Sequence, residues 1–221
     1  MAARRLLDTT ELFTALPEPV LDDLSAQATH RAYHRGDLVF AQGDASTTLF
    51  IILDGKIAIA TRSTDGRESV VAVLEAPGLF GELGLFDDEP RSADARALTD
   101  VELLALEYEQ VLEVLRPRPE LLWVIVRLLA RRLRATDEAL ADAVFLDVPA
   151  RTAKRLLDLA GDSDELRLPM TQEDLAGMVG ASRERVNKAL ALFTRLGWLE
   201  TQGRGRYRLL DRESLEHRAN P

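Results

Sequence analysis

The chain contains no cysteine, which removes disulfides, thiolate zinc sites, thiol nucleophiles and cysteine-ligated iron–sulfur clusters together. A reducing compartment suits it. Histidine is scarce as well: His30, His34 and His217 are the three present, and none stands in a metal-ligand spacing such as H-E-x-x-H. No metal site, nucleophile–base pair or catalytic residue is therefore expected. The enzyme reading that remains is a phosphodiesterase built on Glu82 and Asp137, and the sensor reading is a haem held by His34. Long apolar runs are missing from the amino terminus, where "MAARRLLDTTELF" is basic for two residues and then acidic and mixed, unlike a secretion signal or a membrane span. These absences predict a soluble, cytoplasmic, non-enzymatic protein with no membrane partner.

What is present is length enough for two compact units, 221 residues, and a charge that is unevenly spread. The formal net charge is −9. Residues 1–146 carry 15 Lys/Arg against 25 Asp/Glu, whereas residues 147–221 carry 13 against 12. Between Arg183 and Arg208 seven basic residues face only Glu184 and Glu200. An acidic body with a smaller basic head is the pattern expected when one end must approach phosphates.

From about Asp8 to Gln27 the spacing of Leu12, Leu16, Leu21 and Leu24 predicts short amphipathic helices. Between His30 and Glu107 the texture turns to strands: "DLVFAQG", "TTLFIILDG", "KIAIATR", "ESVVAVLE", "DARAL" and "VELLALE", cut by turn residues at Gly43, Asp54–Gly55, Asp65–Gly66 and Pro77–Gly78. Short strands with no long helix between them predict an antiparallel sandwich or barrel. The Asp-Gly pairs read as hairpin turns. After Pro117 and Pro119 a long helix opens near Glu120, with Leu122, Val126, Leu129, Leu133, Thr136, Leu140 and Ala143 on a heptad seam. That seam predicts a symmetric dimer; the alternative is an amphipathic helix packed on its own domain. Past "FLDVP", with Pro149 in the first turn of a new helix after Asp147, the chain is helical to a polar break at "GDSDE".

Then comes "TQEDLAGMVGASRERVNKALALFTRLGWLETQGRGRYRLL". It reads as a helix capped by Thr171, a turn at Gly180–Ala181–Ser182, a second helix from Arg183 and a basic Gly-rich hairpin. That is helix-turn-helix plus wing, and double-stranded DNA is the predicted partner. Leu175, Met178, Val179, Val186 and Leu190 can pack the two helices. Arg183 suits a guanine acceptor edge, Glu184 the amino group of cytosine, and Lys188 another guanine or a phosphate, while Ser182 and Arg185 suit backbone phosphates. Thr171, Gly203 and Arg204 complete the DNA-binding set. The bland alternative is a solvated helical face.

In "GELGLFDDEPRSADA", Glu82 and Arg91 flank an acidic turn. A carboxylate can accept from sugar hydroxyls, and a guanidinium fork suits phosphate oxygens. Gly81 permits close backbone approach, and the amides of Arg91, Ser92 and Ala93 can add donors. Equally, Glu82 and Arg91 can form a salt bridge across the turn.

Taken together, "DLVFAQGD", "LFIILDGKI", "GLFGELGLFDDEPRSADARAL", "LARRLRATDEALADAVFLDVPARTAKRLLDL" and "TQEDLAGMVGASRERVNKAL" resemble the cyclic-AMP receptor protein (CRP/FNR) family of bacterial transcription regulators, actinobacterial members most of all. The similarity spans nearly the whole chain. It implies an α+β fold: an antiparallel β-roll that binds a cyclic nucleotide (residues 1–118), a long dimerisation helix and hinge (119–146) and a winged helix-turn-helix (147–221). It implies Glu82 on the ribose 2′-hydroxyl, Arg91 and Ser92 on the cyclic phosphate, Gly81 and Leu83 completing the loop, and Thr136 and Asp137 at the base. The effector implied is cAMP, in a homodimer that reads TGTGA-like half-sites through Arg183, Glu184 and Lys188 and works with RNA polymerase. Asp137 departs from the uncharged residue expected there and adds negative charge near an anion, so the alternative is a regulator of the same fold that is ligand-independent or binds another nucleotide; Lys188 keeps charge but loses the arginine fork.

Overall fold

The structure, a computed structural model, describes residues 12–14, 16–62, 68–168, 171–203 and 205–220. It packs as two units, one of residues 1–67 with 71–134 and one of residues 68–70 with 135–221. Leu12, Phe13 and Leu16 are buried, as are Leu21 and Leu24 of helix α1 (Glu18–Gln27). The part of the expected amino-terminal helices that precedes Leu12 lies outside the described residues.

Eight strands follow: β1 (Thr29–Tyr33), β2 (Leu38–Phe40), β3 (Thr48–Asp54), β4 (Lys56–Arg62), β5 (Glu68–Glu75), β6 (Leu79–Phe80), β7 (Asp94–Ala97) and β8 (Val101–Glu107). They form two four-stranded sheets, β1-β8-β3-β6 and β2-β7-β4-β5. The pairings β1·β8, β3·β8, β3·β6, β2·β7 and β4·β7 are all antiparallel. One-turn helix α2 (Gly84–Asp87) interrupts the run, and α3 (Tyr108–Leu115) follows it. Leu49 and Ile51 of β3 and Leu104 and Leu106 of β8 enter an apolar cluster with Leu21, Val111, Leu115 and Ile125. Their neighbours Phe50, Ile52, Leu103 and Ala105 enter a second cluster with Phe80, Ala95 and Ala97. A strand covered on both faces has no use for alternate polar residues, which is why both segments read as continuous apolar runs.

One strand-level expectation needs correction, and one strand was missed. Asp54–Gly55 makes no hairpin: β3 and β4 lie in different sheets, and Gly55 carries the chain from one to the other at φ 89°, where a Cβ would collide with the Asp100 carbonyl oxygen. The dipeptide signals a positive φ, and tertiary packing decides what the turn connects. Strand β1 carried no apolar signal, because Thr29, His30, Arg31 and Ala32 are all exposed on an edge strand. Asp65–Gly66 lies outside the described residues.

A short 3-10 turn (Pro119–Leu121) leads into α4 (Leu122–Phe145), in which Ile125 is the one fully buried side chain. Leu122, Val126, Leu133 and Leu140 stand between 49% and 63% exposed, and Trp123 is 67% exposed. This stripe stays open within the chain, while Ile125, with Leu128 and Leu129 partly buried, packs the other side of the helix on the apolar cluster of the first unit.

In the second unit, α5 (Val148–Ala160), α6 (Gln172–Val179), α7 (Arg183–Arg195) and α8 (Arg212–Ala219) pack around Leu156, Leu175, Val186, Phe193 and Leu215, each fully enclosed. Strands β9 (Glu165–Arg167), β10 (Leu199–Thr201) and β11 (Arg206–Leu209) make a sheet in the order β10-β11-β9. The break between α4 and α5 is held by several basic side chains. Arg151 donates from Nη1 to the Leu146 carbonyl at 2.6 Å and from Nε to that of Val179 at 2.8 Å, satisfying orphan carbonyls at two helix ends. Lys154 pairs with Asp142 at 2.7 Å, and Arg218 with Asp147 at 2.5 Å.

Asp147 caps α5, its Oδ1 accepting from the Ala150 amide at 2.9 Å. Burial pushes its carboxyl up, but the Ala150 amide and the Arg218 and Arg151 guanidiniums prevail and hold it below the usual range. A carboxyl depressed on folding adds stability that is present above its ordinary value and is lost as pH falls through the depressed one. Asp147→Ala should therefore lower stability at pH 7 by about 1 kcal/mol, and thermal melts at falling pH should show the gap from the unsubstituted protein narrowing once the carboxyl is protonated.

Candidate functional site

Strand β6 ends at Gly81, whose φ of 75° turns the chain into a tight loop. A Cβ there would lie 2.8 Å from Arg91 Nη1 and 3.2 Å from the Thr48 carbonyl oxygen, so only glycine lets the backbone come this near. Helix α2 follows, and Asp88 at φ 57° ends it before Pro90 and Arg91. The loop between β2 and β3 braces the return: the Arg91 amide donates to the Asp44 carbonyl at 2.9 Å, and the Gly43 amide to that of Arg91 at 2.8 Å. Of the three amides offered to an anion by sequence, that of Arg91 is thus already committed.

Phe40, Gly81, Glu82, Leu83, Arg91, Ser92 and Arg132 are among the residues that line a cavity of about 70 Å³. Glu82 and Arg91 are 2% and 7% exposed, whereas Ser92 is exposed and Leu83 is 43% exposed. The two charged groups do not pair with each other, which removes the salt bridge across the turn. Arg91 donates from Nη1 to the Gly81 carbonyl at 2.8 Å and to the Tyr108 hydroxyl at 3.1 Å, and from Nη2 to the Thr48 carbonyl at 2.6 Å. Its guanidinium lies 4.2 Å from the centroid of the Phe40 ring. Nε is buried with no protein partner. Such an orphan is costly unless an acceptor arrives, and a phosphate oxygen is the acceptor that a guanidinium edge fits best.

Glu82 is held by Arg132 of α4, whose Nη1 donates to Oε1 and whose Nη2 donates to the Leu79 carbonyl. Sequence reasoning missed Arg132, because nothing in "LARRLRAT" separates it from Arg131 or Arg134. Its i,i+4 spacing to Thr136 was the available clue, since that spacing places both on one helical face. With Arg132 in place the cavity holds two guanidiniums against one carboxylate, a balance that accepts a single anion. Thr136 and Asp137 stand further along α4, in the second unit, and are not among the residues lining this cavity. His34, the haem candidate, has a side chain 91% exposed, with Nδ1 3.5 Å from Asp100.

At the other end, Thr171 caps α6 in a reciprocal pair with Asp174: the Asp174 amide donates to Thr171 Oγ1 at 3.2 Å, and the Thr171 amide to Asp174 Oδ2 at 2.8 Å. Gly180, at φ 65°, turns the chain toward α7, and Ser182 Oγ caps that helix by accepting from the Arg185 amide at 3.4 Å. Leu175, Val179, Val186 and Leu190 are buried where the two helices pack. Arg183, Glu184, Arg185 and Lys188 are exposed in the first turns of α7. Lys188 Nζ stands 2.6 Å from Glu184 Oε1; this hydrogen bond and the charge behind it hold the Glu184 carboxyl below the usual range. Gly203, at φ 110°, turns β10 into β11, and Arg204 lies outside the described residues.

A β-roll with an anion-ready cassette, a long helix and a winged helix-turn-helix define a ligand-controlled DNA-binding regulator. The family model described as "Cyclic nucleotide-binding domain" matches residues 30–118, and that described as "Crp-like helix-turn-helix domain" matches residues 150–218. The chain is 38% identical to a "CRP-like cAMP-activated global transcriptional regulator" of Mycobacterium tuberculosis over 97% of this chain and 98% of that one. It is 34% identical over 83% of its length, and 91% of the relative's, to the "cAMP-activated global transcriptional regulator Vfr" of Pseudomonas aeruginosa. Among solved structures, a c-di-GMP responsive global regulator, CLP, of Xanthomonas campestris superposes with TM-score 0.78 at 28% identity, covering 88% of this chain and all of that one. The chain therefore belongs to the CRP family of cyclic-nucleotide-regulated transcription factors. These relatives are regulators rather than enzymes, which disposes of the phosphodiesterase reading. Among the described residues no helix is long and apolar enough to cross a membrane.

Removing Arg132 leaves Glu82 a buried carboxylate without its cation, which is worse than removing both. Arg132→Ala should cost about 1–3 kcal/mol, and Glu82→Gln combined with Arg132→Ala should recover part of that loss in urea unfolding.

Proposed function

We propose that the chain is a cytoplasmic homodimer whose DNA binding is switched by a cyclic nucleotide, cAMP first among candidates. The observation that carries this reading is the buried Arg91 Nε without a partner, beside an enclosed Glu82. Arg91 and Ser92 would hold the cyclic phosphate and Glu82 a ribose hydroxyl, with Gly81 and Leu83 shaping the loop. Thr136 and Asp137 would meet the base. The cavity of about 70 Å³ is far below the roughly 300 Å³ of an ordinary ligand pocket, so it takes only part of a nucleotide, and the base needs walls from elsewhere.

Dimerisation is supported by the open stripe of Leu122, Val126, Leu133 and Leu140 along α4, spaced as a coiled-coil seam. Two protomers would set two copies of α7 in successive major grooves, with Arg183, Glu184 and Lys188 at base edges of a TGTGA-like palindrome. Arg185, Ser182, Thr171, Gly203 and Arg204 would face the DNA backbone. RNA polymerase is the further partner that activation requires. A different effector base is a second reading, favoured by the carboxylate of Asp137.

Titration calorimetry with cAMP, cGMP and cyclic di-GMP, followed by a DNA mobility-shift assay, tests the proposal. One cyclic nucleotide should bind and promote the shift. Arg91→Ala should abolish both effects while light scattering still reports a dimer. A normal response from that variant would overturn the cassette assignment. Leu133→Asp should give a monomer that retains its circular dichroism and no longer shifts palindromic DNA.

A further inference from the structure

Tyr108 lies at the start of α3, outside the cassette in sequence, yet its hydroxyl is the hub of a closed hydrogen-bond network beneath it. The hydroxyl donates its single proton to the Gly81 carbonyl at 2.5 Å and accepts from Arg91 Nη1 at 3.1 Å. With that proton spent, the 2.6 Å contact to Ser46 must have Ser46 Oγ as donor. Both lone pairs of the phenol oxygen are then filled. The Gly81 carbonyl is likewise filled, by Tyr108 and by Arg91 Nη1 at 2.8 Å. Tyr108 itself is fixed by its backbone, whose amide donates to the Thr47 carbonyl at 2.8 Å.

A guanidinium carries five N–H donors. Nη1 is committed to Gly81 and Tyr108, and Nη2 once to Thr48 at 2.6 Å. Nε is left without a partner, and its neighbour Nη2 carries a second N–H beyond the one given to Thr48. We infer that Tyr108 is a positioning residue: its hydroxyl, set by Ser46, locks one side of the Arg91 guanidinium and so holds the remaining edge ready for two oxygens of one phosphate. This rests on the nucleotide-binding reading above. Tyr108 touches no ligand and acts through Arg91; pre-ordering that fork removes the entropy its ordering would otherwise cost on binding.

Tyr108→Phe keeps the ring and removes the hub. The variant should fold, bind cAMP about tenfold more weakly by calorimetry, and lose much less in an Arg91→Lys background, which keeps the charge but lacks the fork that the hydroxyl orders. Ser46→Ala should weaken binding in the same direction and by less. A readout without nucleotide decides independently: in the full-length apo protein, the Arg91 Nε–H resonance, assigned by its loss in Arg91→Lys, should exchange slowly with water and exchange much faster in Tyr108→Phe. Unchanged exchange, or an equal affinity loss in the Arg91 and Arg91→Lys backgrounds, overturns the inference. If the unsubstituted protein binds no cyclic nucleotide, the functional reading fails by itself and the exchange measurement still judges Tyr108.

Discussion

A guanidinium enclosed by protein must find acceptors, and the first unit is arranged around supplying them to Arg91. Two carbonyls and a phenol come from places far apart in sequence: the end of β6, the start of β3 and the start of α3. Each demands something of its own element. Gly81 has to adopt a positive φ so that its carbonyl points inward, and β3 has to begin with Thr48 where its backbone can accept. Phe40, Phe50 and Phe80 form the apolar floor, with Phe50 and Phe80 stacked at 5.2 Å. A cation over aromatic faces keeps part of its favourable electrostatics when water is removed. The buried Nε is left without a protein partner.

The second constraint is the buried carboxylate of Glu82. Left alone beside a site meant for an anion, it would repel the ligand and raise the energy of the fold. Arg132 removes both difficulties with one side chain, and it comes from the long helix rather than from the β-roll. The helix that carries the apolar seam thus also carries a charge on which the cassette depends. Further along, Arg151, Lys154 and Arg218 tie the break after α4 to α5, α6 and α8. The segment resembles a pinned joint, because its carbonyls and carboxylates are held by side chains that themselves sit in well-packed helices.

Charge is divided to match. Acidic residues are spread evenly along the chain, but basic ones are denser after residue 146, where 13 Lys/Arg nearly balance 12 Asp/Glu, and α7 presents Arg183, Arg185 and Lys188 to solvent. An overall negative charge keeps the molecule from binding polyanions indiscriminately, and the local basic face restores attraction where a groove is to be read. The Glu184–Lys188 pair on that face is exposed at both ends, so solvent weakens it and both groups remain exchangeable for other partners.

Much of this was legible in the amino-acid sequence by itself: the apolar strand runs, the helix starts after Asp147 and at Arg183, the cap at Thr171, the glycine at the helix-turn-helix corner and the heptad seam of α4. Each is a local or periodic signal, readable because backbone geometry ties residue type to position within a few residues. What only the tertiary structure decided depends on meetings at long range. Asp54–Gly55 joins two sheets instead of closing a hairpin, Glu82 pairs with Arg132 and not with Arg91, and Tyr108 reaches under a loop 27 residues away. No local pattern encodes those partners, because a buried polar group is satisfied by whatever acceptor the packing of distant elements brings within about 3 Å.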